Sequence, residues 1–299
     1  MNFICLNKNF IKQKTKSVLA VEMSIISFSL TVFSFFGDFT LKNWNFCLLG
    51  KFFVVFLFFI FCVFIAFILS CLLTFLKVEN RVWGKNNSTL SIIYGDIFNL
   101  KQKKNKKQFI VIPVDTQFMT EVDSESLNIK YPRVAPDSLH GKFISKFYKN
   151  KNDKLKNDIE TYIDKKEYKI DKKQQSKYST LSENRFEVGT IVQIAPENDK
   201  GKIFLLLALA EFDEHNKASC SKSKLIIALN ALFKFYDENC QGGDLYIPLM
   251  GTGFSRVGLT ENESLRITKS CAELNLDYIK GNVSIVVYKK LRMDVSIFQ

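Results

Sequence analysis

The sequence predicts a three-layer α/β domain preceded by an N-terminal transmembrane helical hairpin. Three observations carry this. Apolar and charged residues are segregated: residues 1–76 hold 17 of the 29 Phe but only 8 of the 72 charged residues. Beyond them, short β-prone runs alternate with amphipathic helical patterns, as in α/β folds. One run, Gln108–Val114, is apolar almost throughout, as expected of a strand buried on both faces of a sheet. With 299 residues, 47% hydrophobic and 24% charged, the chain is neither disordered nor too small for a real core.

The membrane segments come first. Phe52 to Leu76 is 25 residues without a charge. As a helix it spans roughly 37 Å, enough to cross a hydrocarbon layer of roughly 30 Å. An earlier run over 17–36 is interrupted only by Glu22. A cleaved signal peptide competes for that run, with Lys8, Lys12, Lys14 and Lys16 as its basic head. However, Phe33 to Gly37 offers no small-x-small cleavage site, and a second apolar run follows closely. The expected anchor is therefore residues 1–80, with spans at about 17–36 and 52–76, followed by a domain over 81–299. Lysines precede the first span, and Lys77, Arg81, Lys85 and the run at 101–107 follow the second. The loop between carries only Lys42 and Lys51. That asymmetry puts both termini in the cytoplasm of a multi-pass inner-membrane protein, with Trp44 and Trp83 as interfacial anchors.

In the second part, strands are expected at Thr89–Tyr94, Gln108–Val114, Glu187–Ala195, Lys202–Ala210, Asp244–Met250 and Val283–Tyr288. Helices are expected at about 221–239, where Leu225, Leu229, Leu232 and Tyr236 share a face, and at about 261–274. Thr260 and Glu263 have the spacing of a capping box for the latter. Residues 142–177 hold 12 Lys and 6 acids and read as a polar helix or two plus a mobile linker. The net charge of +12 has no stacking aromatics interleaved with it, so no nucleic-acid partner is predicted. The seven Cys include no C-x-x-C pair and there are two His, so neither a metal site nor a disulfide framework is expected.

Three strand-end loops carry binding chemistry. Gly95, Asp96 and Ile97 close the first strand, where a carboxylate can accept from an exocyclic amine or simply cap a turn. Asp115 and Thr116 close the second, at the carboxyl edge where ligands dock in open α/β sheets. The third, Pro248 to Arg256, places Gly251, Thr252, Gly253, Phe254, Ser255 and Arg256 between a strand and a capped helix. Two glycines one residue apart let backbone N–H groups approach a phosphate, and the helix start adds a favourable dipole. The loop lacks the G-K-[ST] of a P-loop and the third glycine of a dinucleotide fingerprint.

The order Gly95-Asp96-Ile97, apolar strand, Pro248-Leu-Met-Gly-Thr-Gly-Phe254 resembles the macro-domain family over roughly 89–290. The resemblance implies a macro-like α/β/α domain with a mixed sheet that binds ADP-ribose or a related nucleotide. It implies that Asp96 contacts the adenine amine with Ile97 beside it, and that Gly251 to Phe254 wrap the diphosphate and distal ribose. Ser138 to Ile144, with His140 and Gly141, takes the place of the family's first glycine-rich loop. Asp115 stands where macro hydrolases carry an Asn, which argues for binding without hydrolysis.

Two spans before such a domain resemble the membrane effectors of Thoeris anti-phage systems. That likeness implies an ADP-ribose-derived signal, such as a histidine–ADP-ribose conjugate, made by a TIR-domain partner. It implies ligand-induced homo-oligomers that disrupt membrane lipids, with no cofactor beyond the activating nucleotide and no enzymatic activity. Two readings compete. One is a membrane-tethered ADP-ribosyl hydrolase, with Asp115 orienting water and His140 as base. The other is a tethered interaction module that binds no ligand.

Overall fold

The computed structural model describes residues 3–36, 48–100, 106–122, 134–168, 170–173, 184–197, 199, 201–212, 218–253 and 255–298. The chain divides into two compact units, over 1–78 and 79–297.

In the first unit a short helix α1 (Phe3–Leu6) leads into α2 (Lys8–Phe36) and α3 (Leu48–Leu76). On α3 the buried side chains Cys62, Ala66, Ser70 and Thr74 recur every four residues, which lays them along one face. Small residues in such a row allow close helix approach, and α3 packs against α2. The hydroxyls of Ser70 and Thr74 donate to the carbonyls of Ala66 and Ser70, both at 2.7 Å, so neither needs a partner outside its own helix. Phe56, Phe59, Phe61 and Phe64 on the same helix are exposed.

The two-span hairpin is not confirmed. Among the described residues only Phe56–Leu76 is long and apolar enough to cross a membrane, with a mean hydropathy of 3.1. The expected first span lies within α2, which is helical but begins with four lysines and carries Glu22. The connecting residues 37–47, including Lys42 and Trp44, lie outside the described residues.

The second unit contains β1 (Glu79–Lys85), β2 (Ser88–Gly95), β3 (Gln108–Asp115), α4 (Leu139–Phe147) and α5 (Asn152–Lys166). Next come β4 (Ile170–Lys173), β5 (Asn184–Phe186), β6 (Ile191–Ile194), β7 (Lys202–Phe212) and β8 (Ala218–Ser219). The chain ends with α6 (Lys222–Asn239), β9 (Asp244–Pro248), α7 (Glu261–Leu274), β10 (Asn282–Tyr288) and a 3-10 turn over Lys289–Met293. The main sheet runs β1-β2-β10-β9-β3-β7-β6, with β8 on the end of β7. Its five inner strands are parallel; β1 and β6 pair antiparallel at the edges. This is the expected mixed sheet.

Alternation along the inner strands builds the layers. Ile110, Ile112 and Val114 of β3 and Phe204, Leu206 and Ala208 of β7 cluster with Phe143 and Ile144 of α4 and Leu155 and Ile159 of α5. The intervening Phe109, Val111, Leu205 and Leu207 are buried on the other face, where α6 and α7 pack on β7, β10 and each other. Leu225, Leu229, Leu232 and Tyr236 of α6 are fully buried, as their spacing predicts. The Thr260–Glu263 capping box is formed in full.

Two elements differ from expectation. The polar helices expected over 142–177 exist as α4 and α5, but they pack directly on the sheet; residues 174–177 of the expected linker lie outside the described residues. Their apolar residues are few, but those at helical spacing are buried while the lysines point outward. The edge strand β1 was also not anticipated, because Glu79, Arg81 and Lys85 mask its pattern. It joins β2 through Asn86 and Asn87, both left-handed (φ 47° and 63°), the requirement of a two-residue hairpin turn. If α5 belongs to the core, Leu155→Ala costs about 2–5 kcal/mol. An unchanged denaturation midpoint would place α5 outside the cooperative unit.

Candidate ligand-binding site

Five parallel strands end at one edge of the sheet, and a cleft of about 380 Å³ opens there beyond β3, β7 and β9. That volume lies within the range of small-molecule sites. Pairing of β3 with β7 slips at this point: Val114 faces Ala208 but Asp115 faces Ala210. Leu209 is therefore an extra residue on β7, a bulge that turns the strand end and gives the cleft part of its apolar floor.

Asp115 lines the cleft and is almost fully buried. Its carboxylate accepts the N–H of Gln117 at 2.9 Å and of Met119 at 3.2–3.3 Å. Burial pushes its pKa up to about 6, against the lowering effect of these N–H donors. Thr116 does not line the cleft. Its N–H donates to Ala210, its carbonyl accepts from Phe186, and its Oγ1 accepts from Arg185 at 3.3 Å. Arg185 also pairs with Glu211 at 2.8 Å, and Glu211 with Lys224 at 2.6 Å, so this network ties β5, β7 and α6 beside the cleft.

The opposite wall is the start of α4. Ser138, expected to be part of a glycine-rich loop, is instead the N-cap. Its Oγ accepts from Gly141 N–H at 2.9 Å and donates to the Ala135 carbonyl at 2.6 Å. The reason is local: an N-capping Ser followed by Phe143, Ile144 and Phe147 is a helix pattern. His140 lines the cleft and is buried; its Nε2 has no hydrogen-bond partner among the described residues. Burial lowers its pKa to about 3, so the imidazole is neutral. Gly141 does not line the cleft; a Cβ there would lie 2.3 Å from the carbonyl of Ala135.

The third wall is the loop after β9. Gly251, Thr252, Gly253, Ser255 and Arg256 all line the cleft, while Phe254 lies outside the described residues. Gly251 has φ +88°, and a Cβ there would press on Leu259 at 3.0 Å; at Gly253 a Cβ meets nothing within 4 Å. Ser264 of α7 fixes the loop base, accepting from Met250 N–H at 3.0 Å and donating to its carbonyl at 2.6 Å.

The Gly95–Ile97 turn does not line this cleft. Asp96 accepts from the N–H of Phe98 at 3.1 Å and from Asn99 Nδ2 at 2.7 Å, which closes an Asx-type turn. Ile97 is part of the core. Sequence reasoning missed Asp137, Phe212 and Ala218, which do line the cleft. Asp137 precedes the Ser138 cap, a readable signal. Phe212 and Ala218 join it only because β7 runs past Ala210 to pair with β8. Among the described residues no group of His, Cys, Asp and Glu could hold a metal ion.

The family model described as "Thoeris protein ThsA, Macro domain" matches residues 90–288. The chain belongs to this ThsA macro-domain family. A curated relative, the Thoeris protein ThsA of Bacillus amyloliquefaciens (strain Y2), is 22% identical over 236 residues, covering 75% of this chain and 70% of its own length. Among solved structures, the Oceanobacillus iheyensis macrodomain with ADP has a TM-score of 0.46 at 12% identity, covering 74% of this chain and 93% of that one. A mutant of the same macrodomain with ADPR has a TM-score of 0.46 at 10% identity, covering 74% and 95%. All three walls of the cleft fall within the ThsA macro-domain match.

Two outcomes check this geometry. Between about pH 6.5 and 3 the unfolded chain binds a proton at His140 that the folded chain refuses, so the His140 contribution to stability falls as pH falls through that window, while Asp115, raised to about 6, contributes in the opposite sense between about 6 and 3.8. His140→Gln removes the His140 contribution, so the variant loses less stability than the parent chain between about pH 6.5 and 3; an unchanged loss would mean the imidazole is not buried neutral. Gly141→Ala, favoured by helix propensity by about 1 kcal/mol, instead lowers the melting temperature, because its methyl meets the Ala135 carbonyl.

Proposed function

We propose that this protein is a membrane-anchored anti-phage effector whose macro domain senses an ADP-ribose-derived nucleotide. One observation carries the binding reading: the Gly251–Gly253 loop faces the first turn of α4 across a cleft at the carboxyl ends of parallel strands. Backbone at Gly253 is open to close approach, α4 brings the positive end of its dipole, and Arg256 brings a cation. These features suit a diphosphate, and the apolar floor at Leu209 suits the body of a nucleotide.

The site favours binding over hydrolysis. Asp115 is held by two backbone N–H groups and His140 is buried and neutral, so neither is placed as an exposed base beside a water. In this reading α2 crosses the bacterial inner membrane as the first span and α3 returns as the second, leaving both termini cytoplasmic. A TIR-domain partner makes the signal, of which a histidine–ADP-ribose conjugate is one form. Ligand binding favours a homo-oligomer whose Phe-rich helices disrupt the lipid bilayer. The ligand achieves this only by binding the assembled state more tightly than the free one.

Calorimetric titration of the detergent-solubilised chain with ADP-ribose tests the site. Gly253→Glu has room for its side chain and places a carboxylate in the cleft, so affinity falls at least about 100-fold with melting temperature unchanged. Asp96→Ala leaves affinity within about threefold, because its carboxylate is committed to a turn. Retained binding in Gly253→Glu contradicts the site, and turnover of an ADP-ribosylated substrate replaces the sensor with a hydrolase.

A further inference from the structure

Helix α6 carries its charges in the order that its own dipole disfavours. Its first turn holds Lys222 and Lys224 and no acid, and its last turn holds Asp237 and Glu238 and no base. A helix N-terminus attracts negative charge and a C-terminus positive charge. The neighbouring helices follow that rule: α5 starts with Asp153 and ends with Lys165 and Lys166, and α7 starts with Glu261 and Glu263. Within the domain the misplaced charges of α6 are only partly answered. Lys224 pairs with Glu211 at 2.6 Å, but the Lys222 side chain stays 59% exposed at 4.0 Å from Glu263. Glu238 is exposed, and among the described residues no ion pair holds it.

Between these ends the outer face of α6 is partly apolar. Ile226 and Ile227 are 40% and 54% exposed, while Leu225, Leu229 and Leu232 take the core. Asn230, one turn on, is exposed and accepts from Asn275 Nδ2 at 2.8 Å. Beside Asn275 stands Leu274, 84% exposed at the end of α7. Lys222, Ile226, Asn230, Lys234 and Glu238 follow one another at four-residue intervals, so they form one row about 24 Å long. Reversed, that row is its own complement. Glu238 falls opposite Lys222, Lys234 opposite Ile226, and Asn230 opposite itself.

We infer that the outer face of α6 is a contact between two copies of this chain, which set these rows antiparallel about a two-fold axis at Asn230. A two-fold contact needs a self-complementary surface, and the row supplies one. Lys222 of each copy meets Glu238 of the other, which brings an acid to each helix start and a base to each helix end. The aliphatic stem of Lys234 covers Ile226 across the axis, and Ile227 and Leu274 border this apolar middle. The inference rests on the homo-oligomer of the proposed function and names the surface through which it forms; it requires no particular nucleotide.

Sedimentation of the full chain in detergent, with and without ADP-ribose, tests the pairing. Lys222→Glu and Glu238→Lys each set like charges across the axis and weaken association at least about tenfold. The double variant Lys222→Glu/Glu238→Lys restores the attraction and returns association to within about threefold of the parent chain. Glu238→Lys also places a base in the last turn of α6, so the melting temperature of the unassociated chain does not fall. Asn230→Cys, at the axis, forms an oxidised dimer beyond any formed by the parent chain, and adding Lys222→Glu suppresses it. A parent chain that stays monomeric with ADP-ribose bound overturns the homo-oligomer and this contact together. Association indifferent to both reversals, or not restored by the double variant, overturns the contact and leaves the homo-oligomer standing. Association that is sensitive to both reversals but equal with and without ADP-ribose supports the contact and overturns its gating by the nucleotide.

Discussion

Parallel pairing of β3 with β7 on one side and β9 on the other is the constraint on which the site depends. Gln108 to Val114 can sit at that position because nearly every residue is apolar and both faces are covered. Parallel strands finish at a common edge, so the pairing brings Asp115, the Leu209 bulge and the loop after Pro248 together without any contact among those residues in sequence. A buried carboxylate is costly there. The N–H groups of Gln117 and Met119 offset part of that cost and fold the chain back over Phe118, which takes a left-handed φ of 52°.

The glycine loop owes its placement to α7. Ser264 grips both polar groups of Met250, and Thr260 with Glu263 closes the helix start immediately after Leu259, whose side chain supports Gly251. The same first turn reaches the end of the chain, where Asn262 Nδ2 donates to the Asp294 carbonyl at 3.0 Å. The wall of the cleft and the segment after β10 are therefore anchored on one short piece of helix.

Much of this was legible in the sequence. Continuous apolar runs marked β3, β7, β9 and β10, and the Thr260–Glu263 spacing marked the start of α7. Pro248 to Arg256 stood out because glycine spacing between a strand and a capped helix has few other uses. What escaped depends on tertiary context. Asp96 has the residue type of a base-reading carboxylate, yet the side chain of Asn99 and the N–H of Phe98 claim it. The macro-domain resemblance places Ser138 to Ile144 in a glycine-rich loop, but Ser138 caps a helix there. Gly141 proves to be a packing residue, its hydrogen facing the Ala135 carbonyl. Thr116 sits one residue past the strand, yet its hydroxyl serves Arg185. The weaker of the two apolar runs shows the limit of composition: Ser17 to Phe36 is helical, but among the described residues only Phe56–Leu76 is long and apolar enough to cross a membrane.

The structure of the full chain with ADP-ribose bound tests the central claim most directly. The account predicts the diphosphate between the backbone of 251–253 and the first turn of α4, with Asp115 at the cleft floor and the Asp96 turn unchanged. A nucleotide bound away from the 251–253 loop, or a cleft that stays empty at saturating ligand, would contradict it.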